Sequence, residues 1–480
     1  MRIGIIDLGS NSARLVVYEV SENAGYRPCF RMKKNIQLAQ YIDDTGQISS
    51  AGIQQAVVTV RAFRNAGEVF NVAHWVAAGT AAIRQSENGM DVLRILEEET
   101  GIHFRCLSGQ EEAWYTYLGV MNTTDIEDAI LVDIGGASTE ITHVCNRELV
   151  NTVSLPFGAL TLTKKFSGVE TSVQAEAVFQ FMKEQMQNIP WLKELSDLPV
   201  IGTGGTARAI GKISDHMHRS QVNRLDGVEV QSSVIEQIYE QMKVKTVKER
   251  KKLGKLSDSR AKLIHAGVAA IWALISLTSA NAFFVNGNGL REGLFYEYLF
   301  RNRTTPVLCS VKEHSIENLV RLFDIPIDAA HAVADTAVTL FEQLAPVHKL
   351  GLKYKELLRT AALLELMGAL VNVERYKRHS DYLIRSSHLH GFSQDEMLKI
   401  SRMIIGNGQK PLKQLNFIIQ LAKAIVYETN ASEVRLDKHK NELTIVCPEA
   451  SSSGMCASLM SMEKEFVKQF GIRFRLIACS

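Results

Sequence analysis

The sequence predicts an α/β protein over roughly its first three hundred residues, then an all-α domain, then a small α+β module. Up to residue 305, short apolar runs alternate with helix-length amphipathic segments, which is typical of α/β domains with buried sheets. From residue 306, apolar residues recur at helical spacing instead. A strand–Asp–Gly–Ser pattern also occurs twice, which indicates two related halves within the α/β part.

Four domains are therefore expected. We predict two similar α/β domains over residues 1–125 and 126–305 with a cleft between them, a helical domain over 306–428, and a small α+β module over 429–480. The module should contain a hairpin that turns at Lys438–Asn441, a helix and a final strand. In the first domain the apolar runs predict strands at 3–7, 14–20 and 72–78 and helices at 50–66 and 87–100.

Composition narrows the class of protein. The 480 residues are 46% hydrophobic and 22% charged, as in ordinary globular proteins. A net charge of +2 does not indicate a nucleic-acid or membrane partner. Seven scattered cysteines without a CxxC spacing suggest reduced thiols and no zinc site. The N-terminal segment holds no apolar run of signal-peptide length, so a cytoplasmic protein is expected.

One apolar stretch, residues 264–285, is about as long as a membrane-spanning helix. It contains His265, Thr278 and Asn281, and a turn-like Ser-Ala-Asn interrupts it. We therefore predict a buried helix followed by a buried strand.

The repeated pattern predicts two similar hairpins. Residues 3–17 and 130–144 both run from an apolar strand through Asp, Gly and Ser into a second strand. The shared positions are Asp7 with Asp133, Gly9 with Gly135, and Ser12 with Ser138. Backbone N–H groups of such glycine turns can converge on an anion, so two facing hairpins would form a phosphate clamp.

A third glycine-rich turn lies in VIGTGGTARAI, residues 200–210. A strand enters it and a helix is expected to leave at Ala207, an arrangement that lets backbone amides approach phosphate. The alternative is an ordinary strand-to-helix turn with Thr206 as the N-cap. It is not a Walker A motif, because the GK[ST] ending is missing.

The paired hairpins and the GTGGT turn resemble the acetate kinase, sugar kinase, Hsp70 and actin superfamily. Five motifs narrow the resemblance to the exopolyphosphatase/guanosine pentaphosphate phosphohydrolase (Ppx/GppA) family: IDLGSNSARLVV, AAGTAAIR, LSGQEEAWYTYLGV, LVDIGGASTEI and GLREGLFYE, in that order over residues 1–300. Residues 306–425 resemble that family's helical domain, which is related to HD phosphohydrolases. The resemblance implies two actin-like (ribonuclease H-like) domains and an HD-like helical domain. It also implies a homodimer, because related long forms are often dimers.

The family hydrolyses the terminal phosphoanhydride of inorganic polyphosphate or of guanosine pentaphosphate with a divalent metal, usually magnesium. The resemblance therefore implies an active site between the first two domains. Magnesium prefers oxygen ligands and takes one or two carboxylates, which Asp133 and Glu140 can supply from one hairpin. Asp7 is expected to help position metal or water. The structural alternative is a turn-stabilising Asp133 and an exposed Glu140 on a strand.

Substrate phosphates are expected to meet backbone amides and short side chains of the three loops. The residues assigned to this role are Asp7, Gly9, Ser10, Asn11, Ser12, Gly135, Gly136, Ala137, Ser138, Gly204, Gly205 and Thr206. The family uses the arginine at Arg84 against phosphate, which a guanidinium grips through two donors. Either Glu111 or Glu112 is expected to activate water, and the family alignment favours Glu112.

Two departures from the family pattern stand out. Relatives mostly have a third glycine where this chain has Ala137, which is predicted to keep a negative φ. In the helical domain, Glu365-Leu366 stands where HD proteins have His-Asp, although His331 and His379 remain. That domain is therefore expected to be structural, or to form a wall for a long substrate, rather than to hold metal.

Basic runs at residues 243–252 and 375–390 either guide a polyanion or are solvated helix faces, and the charge pattern leaves both open. The four-segment chain favours polyphosphate over guanosine pentaphosphate as substrate. The other hypotheses are a superfamily ATPase or phosphotransferase and a non-catalytic sensor of polyphosphate or an alarmone.

Overall fold

The computed structural model of the chain describes residues 1–168, 171–218, 225–428, 433–437, 442–448 and 457–479. The chain forms two compact units. Unit 1 comprises Met1–Val20 and Tyr26–Val311, and unit 2 comprises Ser21–Gly25 and Lys312–Ser480.

The first lobe of unit 1 is a five-stranded mixed sheet with the order β3-β2-β1-β4-β5. Its strands are β1 (Arg2–Leu8), β2 (Ser12–Val20), β3 (Tyr26–Asn35), β4 (His74–Gly79) and β5 (Phe104–Cys106). Its helices are α1 (Ser50–Val69), α2 (Ala81–Arg84), α3 (Gly89–Thr100) and α4 (Gly109–Met121). These elements match the predicted strands and helices of the first domain. Apolar side chains lie on both faces of β1, so the sheet is buried on both sides.

The second lobe is a six-stranded mixed sheet with the order β10-β11-β9-β6-β7-β8. Its strands are β6 (Ala129–Ile134), β7 (Thr139–Cys145), β8 (Glu148–Leu155), β9 (Val200–Thr203), β10 (Val228–Gln231) and β11 (Ala282–Val285). The helices of this segment are α5 (Ala159–Lys165), α6 (Thr171–Gln187), α7 (Pro190–Lys193), α8 (Gly204–His218), α9 (Ser232–Val244), α10 (Val247–Lys252), α11 (Asp258–Thr278) and α12 (Leu290–Leu299).

The two lobes share one topology. In each, the first strand pairs antiparallel with the second and parallel with the fourth, and the third strand lies outside the second. One more strand completes the common core of five: β5 pairs parallel with β4 in the first lobe, and β11 pairs parallel with β9 in the second. The repeat read from the two hairpins therefore extends to the whole sheet.

The apolar stretch at 264–285 forms a buried helix and strand, as predicted. Among the described residues, α11 is the one helix long and apolar enough to cross a membrane, but 78% of its most apolar window is buried. Its Ile264, Val268 and Ile271 pack in the core of the second lobe, and β11 pairs with β9.

Helices α4 and α12 cross closely because glycines lie at the contact. A Cβ at Gly119 would collide with the carbonyl of Gly289, and a Cβ at Gly293 would collide with the carbonyl of Tyr115. The ring of Phe295 on α12 also stacks on Tyr18 of the first sheet, with centroids 3.8 Å apart. The crossing therefore joins α12 to the first lobe.

Unit 2 is helical with a small sheet. Its helices are α13 (Val311–Leu322), α14 (Ile327–Gln343), α15 (Ala345–His348), α16 (Leu352–Leu364), α17 (Tyr376–Ser386), α18 (Gln394–Ile405), α19 (Lys410–Glu428), α20 (Ala457–Ser461) and α21 (Glu463–Phe470). The sheet has the order β12 (Glu433–Asp437), β13 (Glu442–Pro448) and β14 (Arg473–Cys479). Strands β12 and β13 are antiparallel, and the predicted turn at 438–441 lies outside the described residues.

The position of the expected His-Asp pair is occupied by a buried carboxylate. Glu365 is 1% exposed and accepts hydrogen bonds from Tyr376 Oη at 3.1 Å and Gln420 Nε2 at 2.9 Å. Its other oxygen lies 3.1 Å from Lys423 Nζ. An ammonium thus compensates this carboxylate inside the helical unit.

Gly293→Ala should destabilise unit 1 by more than about 3 kcal/mol, because the added methyl group collides with a backbone carbonyl that cannot move without separating α4 from α12. Chemical denaturation measures the loss. Gly287→Ala is the matched control, since its Cβ would meet Asp226 Oδ1 at an ordinary 3.6 Å. Equal stability of the two variants would contradict a close helix crossing.

Burial and the nearby Arg250 lower the pKa of His265 on α11 to about 4. In the unfolded chain His265 takes up a proton below its ordinary pKa of about 6.5, whereas in the folded chain it stays neutral down to about pH 4. Stability therefore decreases as the pH is lowered from about 6.5 to about 4. Between about pH 7.5 and pH 5 this residue should cost about 2 kcal/mol. His265→Leu should remove that part of the slope in denaturation curves, and His103→Gln, at an exposed position, should leave it unchanged.

Candidate active site

A cleft in unit 1 collects the loops at the ends of both sheets. Its lining includes most of the predicted site residues: Asp7, Gly9, Ser10, Asn11, Ser12, Glu112, Asp133, Gly135, Gly136, Ala137, Ser138, Glu140, Gly204 and Gly205. Three predicted residues, Arg84, Glu111 and Thr206, are not part of this lining.

The two hairpin turns have the same geometry and face each other. Gly9 N–H donates to the Ser12 carbonyl at 3.2 Å, and Gly135 N–H donates to the Ser138 carbonyl at 3.0 Å. A Cβ on Gly136 would lie 3.2 Å from that of Ser10, so the turns approach each other across the cleft. The sequence echo therefore becomes a pair of opposed loops.

Ala137 keeps a negative φ, as predicted, so the missing third glycine costs no left-handed strain. The loop instead needs a glycine elsewhere. A Cβ on Gly158 would lie 2.6 Å from the Ala137 nitrogen and 2.5 Å from the Gly136 carbonyl carbon. Gly158 thus lets the start of α5 close over the back of the hairpin turn.

Strand register places one acid opposite another in the second hairpin. Asp133 pairs directly with Glu140 across β6 and β7, so their side chains leave the same face of the sheet. Glu140 is 5% exposed, not the exposed strand residue of the structural alternative, and accepts a hydrogen bond from Ser154 Oγ at 2.9 Å. In the first hairpin the same register pairs Asp7 with Arg14.

The cleft acids are destabilised in their charged forms. Burial, followed by the charges of Glu112 and Asp133, raises the pKa of Glu140 well above its ordinary value. Burial also raises the pKa of Asp7, although Arg14 and Arg291 oppose the rise. A cation placed among these carboxylates would lower their pKa values again, because it stabilises the charged forms.

Glu112 and Glu111 have different surroundings although they are adjacent on α4. Glu112 is 8% exposed and forms an ion pair with Arg84. Burial raises the pKa of Glu112 to about 7, although Arg84 opposes the rise. Glu111 lies outside the cleft lining, and its carboxylate caps the helix by accepting from Ser108 N–H at 2.8 Å, which lowers its pKa. This arrangement supports Glu112 as the acid that can reach a bound water.

Arg84 lies behind Glu112 and not in the cleft lining. Its Nη1 donates to the Leu107 carbonyl at 2.6 Å and to Glu112. The guanidinium is therefore engaged with the carboxylate in this structure, whereas the resemblance implied a contact with phosphate.

The third glycine loop differs from its prediction in one detail. Helix α8 begins at Gly204, not Ala207, so Thr206 lies inside the first turn and cannot be the N-cap. Its hydroxyl is buried and donates to the Ile134 carbonyl at 3.4 Å. Gly204 has a positive φ of 74°, which favours glycine, whereas a Cβ at Gly205 would meet only the guanidinium end of Arg260.

Sequence reasoning missed the cations of the cleft. Arg14 and Arg260 line it, and burial followed by the charge of Arg14 lowers the pKa of Arg260 to about 10. Arg14 had a sequence signal, because it lies seven residues after Asp7, as Glu140 does after Asp133. Arg260 had none, because only the packing of α11 brings it to Gly205.

Comparisons with known proteins show the family to which this chain belongs. The model of the Ppx/GppA phosphatase family matches residues 16–302, and that of its domain III matches residues 311–430. A guanosine-5'-triphosphate,3'-diphosphate pyrophosphatase of Aeromonas hydrophila is 27% identical over 417 residues, which cover 83% of this chain and 79% of the relative. Its counterpart in Aeromonas salmonicida is also 27% identical, over 411 residues, with the same coverage.

Solved structures show the same fold. An exopolyphosphatase from Cytophaga hutchinsonii superimposes with a TM-score of 0.58 at 22% identity, covering 64% of this chain and 100% of that chain. A Ppx/GppA family member from Aquifex aeolicus gives a TM-score of 0.55 at 23% identity, covering 64% and 99%. The predicted pair of actin-like domains is thereby confirmed.

The two family models together match most of the chain. The protein belongs to the Ppx/GppA phosphatase family and is a hydrolase that acts on phosphoanhydrides.

Proposed function

We propose that the protein is an exopolyphosphatase that releases orthophosphate from the end of inorganic polyphosphate. The observation that carries this proposal is the composition of the cleft, which combines buried acids, opposed glycine turns and the cations Arg14 and Arg260. Among the described residues of the lining, no aromatic ring is present to stack on a nucleobase. Such a lining favours a ligand made of phosphates alone.

Guanosine pentaphosphate is the second candidate substrate, and the Aeromonas relatives support it. Their similarity covers 83% of this chain, whereas the exopolyphosphatase structure covers 64%. A superfamily ATPase or phosphotransferase and a non-catalytic sensor fit less well, because Glu112 is a buried carboxylate suited to activating water.

Free thiols support a reducing compartment such as the cytoplasm, and four cysteines among the described residues are free: Cys29, Cys106, Cys145 and Cys309.

In the proposed mechanism of polyphosphate hydrolysis, the two opposed turns hold the terminal phosphates through backbone N–H groups, and Arg14 and Arg260 lie beside those phosphates. Glu112 accepts a proton from the attacking water. A pKa near 7 suits a general base at neutral pH. Arg84 fixes the orientation of the Glu112 carboxylate, so we assign it a positioning role.

The donor set of the cleft fits a magnesium ion. Carboxylates of Asp133 and Glu140 would hold it, with Asp7 nearby, and the burial of Glu140 together with the charge of Asp133 opposite it favours a bound cation. No cluster of three or more His, Cys, Asp or Glu side chains suited to a metal exists among the described residues, but magnesium usually completes its shell with water and phosphate oxygens. When bound, it neutralises charge on the phosphoryl oxygens.

Phosphate release from long-chain polyphosphate should exceed release from guanosine pentaphosphate for the wild-type protein. Glu112→Gln should lower kcat by about 10²–10⁴, because it removes the proton acceptor and preserves size. Glu111→Gln is the matched control on the same helix turn. It should keep kcat within a few-fold, since glutamine also serves in a capping box.

Faster hydrolysis of guanosine pentaphosphate would reject polyphosphate as the main substrate. Full activity of Glu112→Gln together with loss in Glu111→Gln would reverse the assignment of the base. Transfer of labelled phosphate to an acceptor rather than to water would reject the hydrolytic mechanism.

Chelation of divalent cations should abolish phosphate release, and magnesium should restore it. Asp133→Asn should raise the magnesium concentration for half-maximal activity by about tenfold or more. Glu148→Gln, an exposed carboxylate at the opposite end of the same sheet, should leave that concentration unchanged. A lower kcat for Asp133→Asn with unchanged magnesium dependence would show that Asp133 does not hold the metal.

A further inference from the structure

Helix α8 has a row of residues, mostly basic, that begins at the cleft and leads away from it. Gly204, Arg208, Lys212 and His216 follow each other at intervals of four residues and therefore share one face of the helix. The opposite face is buried in the core of the second lobe through Ala207, Ile210 and other residues. Lys212 and His216 are exposed, whereas Arg208 is partly buried. The row thus leads from the cleft to the surface.

A second basic segment meets this row at Lys212. Gly254 packs on α8 so closely that a Cβ would lie 2.8 Å from the carbonyl carbon of Lys212 and 3.0 Å from its Cβ. Gly254 and Lys255 both have positive φ, at 62° and 51°, and this turn brings the lysine beside the row. A non-glycine residue in this conformation is uncommon. Lys255 is exposed, as is Lys252 before the turn.

The cleft end of the row is crowded with positive charge. Burial, followed by the charges of Arg14, Arg260 and Arg208, lowers the pKa of Lys33. Burial and the charges of Arg14 and Arg291 likewise lower the pKa of Arg208 to about 10. Lys33 is therefore close enough to Arg14, Arg260 and Arg208 for their like charges to repel, and a bound polyanion would relieve the repulsion.

The acids near the row are mostly engaged elsewhere. Asp258 pairs with Lys251 at 2.7 Å, Glu249 accepts from Thr246 N–H, and Asp226 accepts from Gly287 N–H. Asp215 also lies on α8 and has a partner of its own. Within the described ranges, Lys212, Lys252 and Lys255 have no ion pair.

The basic run at residues 243–252 divides in the structure. Lys243 lies 3.3 Å from Glu176 and 3.4 Å from Glu240, and Arg250 is 2% exposed with one guanidinium nitrogen donating to the Met242 carbonyl. These residues are structural. Of the other lysines in the run, Lys252 lies at its end, beside the Gly254 turn that packs on α8.

We propose that Arg260, Arg208, Lys212 and Lys255 form a track, here called the α8 track, that binds the phosphates of a long polyphosphate chain beyond the terminal ones in the cleft. The proposal rests on the proposed function and adds that the enzyme distinguishes long from short chains. Contacts along the track raise the affinity for long chains without contacting the reacting phosphate. They should therefore act on KM and leave kcat unchanged.

The test compares Lys212→Ala/Lys255→Asn with the wild-type protein, because asparagine tolerates the positive φ of position 255. KM for long-chain polyphosphate should rise about 5- to 30-fold with unchanged kcat, as expected for two exposed charge contacts. KM for tripolyphosphate should stay within twofold. The slope of log KM against log salt for the long chain should fall by about 1.4, because two phosphate contacts are lost.

Lys193→Ala is the matched control. Lys193 lies on α7, which precedes β9 in the chain and therefore lies towards the end of β9 that is away from the cleft. It should leave every parameter unchanged. Equal losses on long and short substrates, or no loss on either, would overturn the α8 track.

Binding of long-chain polyphosphate, measured without divalent cation, separates this proposal from the proposed function. If the wild-type protein fails to hydrolyse polyphosphate but binds it in a manner that depends on Lys212 and Lys255, the function is wrong and the track stands. If the double variant binds long chains as tightly as the wild-type protein, the track is wrong whatever the activity.

Discussion

The direct pairing of Asp133 with Glu140 is the constraint on which the cleft depends. Two carboxylates that face each other across neighbouring strands repel, and burial adds a further cost to the charged form of Glu140. A soluble domain has no structural use for such a pair, because an apolar pair would stabilise the same hairpin. The proposed cation, together with a substrate phosphate, would complete the charge balance of this pair.

Duplication of the hairpin explains how one cleft obtains both signs of charge. The first and second hairpins share their aspartate, glycine and serine, but the residue opposite the aspartate is Arg14 in one and Glu140 in the other. The first hairpin therefore places a cation opposite its aspartate, beside the turn that we propose binds phosphate. The second presents an acid pair suited to a metal. Equivalent positions of the repeat thus carry opposite charges in the two halves.

The parts of this structure that depend on local pattern could be predicted from the sequence. Alternating apolar runs predicted both sheets, and the seven-residue interval between Asp133 and Glu140 predicted their proximity, because a tight hairpin turn lies between them. Contacts made by packing could not be predicted. Arg260 reaches Gly205 only through the position of α11, and Arg84 meets Glu112 only because α2 and α4 converge. The start of α8 was misplaced because three consecutive small residues give no clear cap signal.

The packing of α4 connects the fold to the chemistry. Its first turn carries Glu112, and a Cβ at Gly109 would collide with Ser154, the residue whose hydroxyl holds Glu140. Farther along, α4 crosses α12 through Gly119 and Gly293, and α12 begins next to Asp133 at Gly289. Three glycines on two helices therefore help to set the distance from Glu112 on α4 to the acid pair on β6 and β7. A displacement of about 1 Å at the reacting groups can cost about 10²-fold in rate, so under the proposed mechanism these close contacts serve catalysis as well as stability.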